Sequence, residues 1–202
     1  MTRSRNAVLP VAAILLAAGR GTRFGGRKLE AKLPDGTPVG LAAWRTLVHV
    51  IPDTVVIVRE DDAGFRALLV EEGARMVVAT AADRGMGASL AAGVADVDPR
   101  SAIVVALADM PWIAQSTISA VASAVAAGAS LAAPRYRGER GHPIGFAPSH
   151  RAALASLDGD EGARTILAAY REAIHFIDVE DAAVLADVDT PDGLQRGGTG
   201  GP

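Results

Sequence analysis

The stretch "VAAILLAAGRGTRFGGRK", residues 11–28, joins two segments of opposite character. Residues 11–17, "VAAILLA", are apolar at every position, which suits a strand buried on both faces and not one that alternates between core and water. The segment that follows has four glycines, three arginines and a lysine by residue 28. Arg20, Arg23, Arg27, Lys28 and Lys32 place five of the twenty basic residues within 20–32, opposed there by Glu30 alone. In an open parallel sheet such a loop leaves the carboxyl end of its strand, where ligands bind. Glycines let backbone N–H groups approach an anion and the side-chain cations neutralise it, so the loop reads as a phosphate site.

Runs of the same kind recur: "TVVIVR" (54–59), "ARMVVAT" (74–80), "SAIVVALA" (101–108), "ASLAAPRY" (129–136) and "AIHFIDV" (173–179). Between the first five lie stretches with helical spacing. Gly36-Thr37-Pro38 precedes Val39, Leu41, Trp44, Leu47 and Val48; Asp61 and Asp62 precede Phe65, Leu68 and Leu69; Ser116 and Thr117 precede Ile118, Val121 and Val125. Hydroxyl and acidic residues at these starts are expected as N-caps. Strand and helix alternating in this way predict an α/β fold with a mostly parallel sheet covered by helices on both faces. After Pro134 the alternation weakens, and "RYRGERGHPIGFAPSH" predicts a small antiparallel or mixed insertion. Residues 11–194 read as one domain, preceded by an N-terminal extension, 1–10, and followed by a flexible tail, 195–202, ending "GGTGGP".

Twenty basic and twenty-three acidic residues leave a formal charge of −3, so no global field recruits nucleic acid or an anionic membrane. The chain has no cysteine, which excludes disulfides, thiolate metal sites and cysteine nucleophiles and fits a cytoplasmic location. "MTRSRN" before an apolar run imitates a signal peptide, but Pro10 interrupts the run and its character matches the later strands. Trp44, Trp112 and Phe65 are expected as packing residues, and His49, His150 and His175 have no partner at metal-ligand spacing.

The loop does not fit the two commonest phosphate motifs. Gly19, Gly21 and Gly25 give G-x-G-x-x-x-G, the next helix starts only near Pro38, and the second strand ends in Arg59 where a dinucleotide site needs an acid. No Gly-Lys-Ser/Thr triplet exists for a kinase-type P-loop. A triphosphate that loses pyrophosphate would use this much positive charge.

"LAAGRGTRFGGRK" resembles the L-A-[AG]-G-x-x-x-R-[MF]-G-x-x-K signature of molybdopterin nucleotidyltransferases within the nucleotide-diphospho-sugar transferase superfamily. "DGTPV" (35–39), "RGMGASLAAGV" (84–94), "VALADMPWI" (105–113), "RGHPIGF" (140–146), "GDEGAR" (159–164) and "ADVDTPDGL" (186–194) continue the likeness in order, in the manner of the cytidylyltransferase branch. The resemblance implies a Rossmann-like three-layer sandwich. It implies transfer of CMP from CTP to the phosphate of molybdopterin cofactor, with release of pyrophosphate and dependence on Mg²⁺. Arg23 and Lys28 match the signature cations and would hold the phosphates during catalysis. Leu16, Ala17, Ala18, Gly19, Gly21, Arg84 and Ser89 would line the nucleotide. Asp109 and Asp189 would bind the metal, with Asp187 a further carboxylate in the same motif. Arg140, His142 and Arg164 would meet the acceptor. Ala18, where the GTP-using branch resembles "LAGG", and the pair Ser89-Leu90 tilt the expectation to CTP.

Two alternatives stay open: a nucleotidyltransferase that uses GTP or another phosphorylated acceptor such as a sugar phosphate, and a non-catalytic carrier of nucleotide or cofactor for a molybdoenzyme. A molybdoenzyme or its maturation factor is the implied protein partner. Glu30 and Lys32 in "LEAKLPDG", and "DGL" after "DTP", depart from the family pattern.

Overall fold

The structure is a computed structural model and describes residues 8–19 and 24–196. Most of the N-terminal extension and of the tail lies outside the described residues, as do Gly21 and Arg23. The strands are β1 (Val11–Leu16), β2 (Thr54–Val58), β3 (Met76–Val78), β4 (Ala102–Leu107), β5 (Leu131–Tyr136), β6 (Glu139–Arg140), β7 (Ile144–Phe146) and β8 (Ile174–Asp178). The helices are α1 (Val39–Val50), α2 (Ala63–Glu71), α3 (Met86–Asp96), α4 (Gln115–Ala126), α5 (Arg151–Ala155), α6 (Arg164–Ala169) and α7 (Gly193–Arg196).

All eight strands form one sheet in the order β3-β2-β1-β4-β7-β5-β6, with β8 paired to β5. β1 lies parallel between β2 and β4, matching Leu16 to Ile57 on one side and to Leu107 on the other. The apolar runs are continuous because both faces of the sheet are covered. Ala13, Leu15, Val56, Val58, Val104 and Ala106 pack with α1, α2 and α4 on one face, where Phe65 and Trp44 are buried. Ile14, Leu16, Val55, Ile57, Ile103 and Val105 pack with α3, α5 and α6 on the other. The three layers are therefore helix, sheet, helix, as the alternation predicts.

The insertion after Pro134 is antiparallel, and it enters the sheet. β7 pairs antiparallel with both β4 and β5, while β6 pairs with the far end of β5. β5 consequently runs parallel to β4 without touching it.

Two capping expectations are corrected. α1 has Pro38, not Thr37, at its N-cap and no side-chain cap there. α4 starts at Gln115 with Ala114 at its N-cap, so Ser116 and Thr117 lie inside the helix. The acceptor comes from far along the chain: Asp181 Oδ2 takes the Ala114 N–H at 2.9 Å and the Thr117 hydroxyl at 2.7 Å. Among the described residues no helix is long and apolar enough to cross a membrane.

Candidate active site

The chain leaves β1 for β2 and β3 on one side and returns through β4 on the other. This reversal opens a crevice at the carboxyl ends of β1 and β4. The loop after β1 enters it through Gly25, Gly26 and Arg27, whose φ angles of 87°, 99° and 47° are all left-handed. Two glycines tolerate that path without a Cβ penalty; Arg27 adopts it as the residue ahead of the turn Lys28–Glu30. Leu29 is buried behind Lys28. Glu30 lies against Gly64 in the first turn of α2, so any side chain at Gly64 would meet its carboxylate. The departure at Glu30 thus has a structural reason: an acid set against a positive helix end.

Asp109 follows β4 by two residues and takes the Lys28 ammonium on Oδ2 at 2.7 Å; Asp189 Oδ1 is 3.4 Å from the same Nζ. Asp187 completes a cluster in which one carboxylate oxygen from each of Asp109, Asp187 and Asp189 lies within 4.8 Å of the others. Partial burial and the neighbouring charges of Asp189 and Asp109 raise the Asp187 carboxyl above its ordinary value. Three carboxylates with no histidine or thiol form an all-oxygen donor set that suits a hard divalent cation such as Mg²⁺ or Mn²⁺. The expected pair, Asp109 and Asp189, is brought together, and Asp187 joins it. Competing local roles are assigned elsewhere. Asp109 caps no helix, since α4 begins only at Gln115. The start of α7 is bonded instead by Thr190, whose Oγ1 and carbonyl accept the Gly193 N–H at 3.3 Å and 2.9 Å.

The end of β1 borders the same crevice. Ala17 and Ala18 are buried, whereas Gly19 is exposed with open space where a side chain would stand. Ser89 is buried in the first turn of α3 and donates to the Gly85 carbonyl at 3.2 Å. Arg84 is exposed and paired with Asp158. The "GDEGAR" loop lies across the start of α3: Gly87 N–H donates to the Gly159 carbonyl at 2.8 Å. Gly85, at φ 114°, has no room for a Cβ beside the Gly159 backbone.

His142, in the break between β6 and β7, feels the charges of Arg140, Arg164 and Asp109. Its imidazole is driven down to about 4 by burial, then by the charge of Arg140, with Asp109 partly opposing. The ring is therefore neutral at pH 7, and its buried Nδ1 has no hydrogen-bond partner. Arg140 and Arg164 both act on it electrostatically. The two guanidinium groups border a cleft of about 550 Å³ that also includes Leu167, Arg171, Ile174 and Phe176. The three expected acceptor residues thus converge, and Arg171 and Phe176 were not foreseen because their motif-free helix and edge-strand positions carry no local signal.

Residues 13–174 match the MobA-like NTP transferase domain family. The chain is 34% identical over 196 residues to the nicotine blue oxidoreductase of Paenarthrobacter nicotinovorans, covering 92% of this chain and 95% of that protein. The crystal structure of Rv0371c from Mycobacterium tuberculosis H37Rv superposes with a TM-score of 0.83 at 29% identity, covering 94% of this chain and 97% of that one. Rv0371c has also been crystallised in complex with manganese. Molybdopterin-guanine dinucleotide biosynthesis protein A from Archaeoglobus fulgidus shares the fold, with a TM-score of 0.64 at 20% identity over 92% of this chain and 96% of that one.

Proposed function

Because the chain belongs to the MobA-like NTP transferase domain family, we propose that it transfers CMP from CTP to the phosphate of molybdopterin cofactor with release of pyrophosphate. The observation that carries this reading is the convergence of Lys28, Asp109, Asp187 and Asp189 at the carboxyl ends of β1 and β4. An acceptor phosphate oxygen attacks the α-phosphorus, a new P–O bond forms, and the bond to the bridging oxygen breaks with its electron pair leaving on pyrophosphate. Positioning and charge stabilisation supply the catalysis, so no protein nucleophile is needed.

Asp109, Asp187 and Asp189 would hold a divalent cation, Mg²⁺ or Mn²⁺, which supplies charge neutralisation at the phosphates when bound. Lys28 and Arg23 stabilise the negative charge on the departing phosphates. The β1 end from Leu16 to Gly19 and the start of α3 with Ser89 flank the nucleotide, and by resemblance Gly21 and Arg84 contact it too. Ala18 and Ser89-Leu90 favour CTP by resemblance. Arg140 and Arg164 bind the acceptor's phosphate, and neutral His142 offers its unpartnered nitrogen to the acceptor's polar edge. His142 feels the charges of Arg140, Arg164 and Asp109 together, which supports a donor and an acceptor held side by side.

Pyrophosphate release with Mg²⁺ and each of CTP, GTP, ATP and UTP, with and without molybdenum-loaded molybdopterin, tests the reading. Release that needs CTP and cofactor and disappears in Asp109→Asn is the expected result. Release with GTP would reassign the nucleotide, and silence with all four would refute the transferase.

A second reading has one specific observation in its favour: the 34% identical relative is an oxidoreductase. On that reading the Arg140, His142 and Phe176 region would hold a heterocycle for reduction by a nicotinamide. Hydride transfer has no use for three clustered carboxylates with a lysine, and consumption of NADH or NADPH with a heterocyclic acceptor would establish it in place of the transfer.

A further inference from the structure

We propose that Asp181 is a positioning residue that sets where Asp109 stands relative to Asp187 and Asp189; the inference rests on the cation site of the function proposed above. Asp181 opens the turn Ala182–Leu185, and its Oδ1 accepts the Ala183 N–H at 3.2 Å. That bond is an ordinary local cap. Its other oxygen does something a local cap does not. Oδ2 reaches across 67 residues to the Ala114 N–H and across 64 to the Thr117 hydroxyl, at 2.9 Å and 2.7 Å. α4 has no capping side chain of its own, so Asp181 completes that helix start as well as its own turn, and locks the two to each other.

Both locked segments lead directly to the carboxylates. Asp109 precedes Ala114 by five residues, and of the four between them Met110, Pro111 and Ile113 are buried. Asp187 follows Asp181 by six residues, with Val184 buried between them and Val188 just beyond. A backbone bond stitches the same interface, Val188 N–H to the Asp109 carbonyl at 2.8 Å, and another, His142 N–H to the Val184 carbonyl at 2.9 Å, ties the Asp181 turn to the connection between β6 and β7. Gly141 adds to the close fit, because any side chain there would enter the space of Val184. Asp181 brings a charged side chain to the contact between the 181–189 segment and the start of α4. A shift at Ala114 therefore moves Asp109 against Asp187 and Asp189 through short, packed connections. Residues that orient metal ligands from behind typically change metal affinity about 10- to 100-fold when removed.

The test uses the full chain and Mn²⁺ alone, with free Mn²⁺ counted by its EPR signal. Asp181→Ala should weaken Mn²⁺ binding about 10- to 100-fold and lower kcat more than the KM for CTP. Asp181→Asn, which keeps one acceptor oxygen, and Thr117→Val, which keeps the charge and the Ala114 bond, should fall between Asp181→Ala and wild type. Wild-type Mn²⁺ affinity in folded Asp181→Ala, with only the melting temperature lowered, would overturn the inference and leave a simple helix cap. Should Asp181→Ala not fold, Asp181→Asn and Thr117→Val decide: wild-type Mn²⁺ affinity in both overturns it. Asp109→Asn separates the two levels. If it abolishes Mn²⁺ binding while the Asp181 and Thr117 variants bind normally, positioning alone fails. If wild type itself binds no Mn²⁺, the cation site and the positioning role fail together.

Discussion

Lys28→Met should make the protein a better metal binder and a worse enzyme. The Lys28 ammonium stands 2.7 Å from Asp109 and 3.4 Å from Asp189, which at an effective dielectric constant of about 20 corresponds to gross attractions of about 6 and about 5 kcal/mol. The lysine side chain is only 12% exposed, so its desolvation offsets several kcal/mol of that sum. A net of about 2 to 3 kcal/mol is left holding the ammonium on the carboxylates. A divalent cation must displace that ammonium to use the same oxygens. Methionine fills a similar volume without charge, and the competition disappears. Mn²⁺ affinity without nucleotide should therefore rise about 10- to 100-fold, the equivalent of about 1.4 to 2.8 kcal/mol. Pyrophosphate release should fall about 100- to 1,000-fold for loss of one charge-stabilising donor. EPR titration of Mn²⁺ at constant ionic strength reads the first effect and single-turnover pyrophosphate release the second. Unchanged or weaker Mn²⁺ binding in Lys28→Met would refute the competition, because it would mean that the ammonium does not hold these carboxylates in solution.

Acid should destabilise the protein through His142. Its folded-state value of about 4 lies below the ordinary 6.5, so the unfolded chain takes up the proton first as pH falls. The stability that comes from burying the neutral ring is complete above about pH 6.5 and is lost towards pH 4, about 3 kcal/mol in all. Urea unfolding at pH 7, 5.5 and 4.5 should show His142→Gln with a shallower decline than wild type; parallel declines would refute the assignment. Gly85→Ala adds a Cβ at φ 114° against the Gly159 backbone and should cost about 3 kcal/mol. Calorimetry should record a drop of roughly 6 to 12 °C, and an unchanged melting temperature would mean that the 159–162 loop does not lie on the start of α3.

The central strands β1, β2 and β4 were legible because each is apolar on both faces, a pattern that a sheet covered on two sides forces on its sequence. Asp109 was legible for a related reason: it follows β4 by two residues, so knowing the strand places the side chain on the rim, whereas Lys28, twelve residues beyond β1, was legible only through its match to the glycine-loop signature. The position of β7 was not. "IGF" announces a short strand, but whether it extends the sheet or enters between β4 and β5 depends on pairings with residues about 40 and about 13 positions away, as the registers of Val104 and Ala132 with Gly145 show. The cap of α4 failed for the same physical cause. Ser116 and Thr117 look like local capping residues, and propensity cannot know that Asp181 arrives from the far end of the domain. Glu30 looked anomalous in sequence and is explained only by the helix start of α2 beside it.

The carboxylate cluster has a consequence for the order in which the protein is made. Lys28 and Asp109 are made before Asp187 and Asp189, and the strands β3, β2, β1 and β4 beside them are neighbours in the sheet that need no later strand as a partner. A nascent chain stalled at residue 180 would hold a lysine and one aspartate at the rim, with the other two acids and the Asp181 bonds still missing, so the carboxylate cluster is complete only once residues 181–189 have been made.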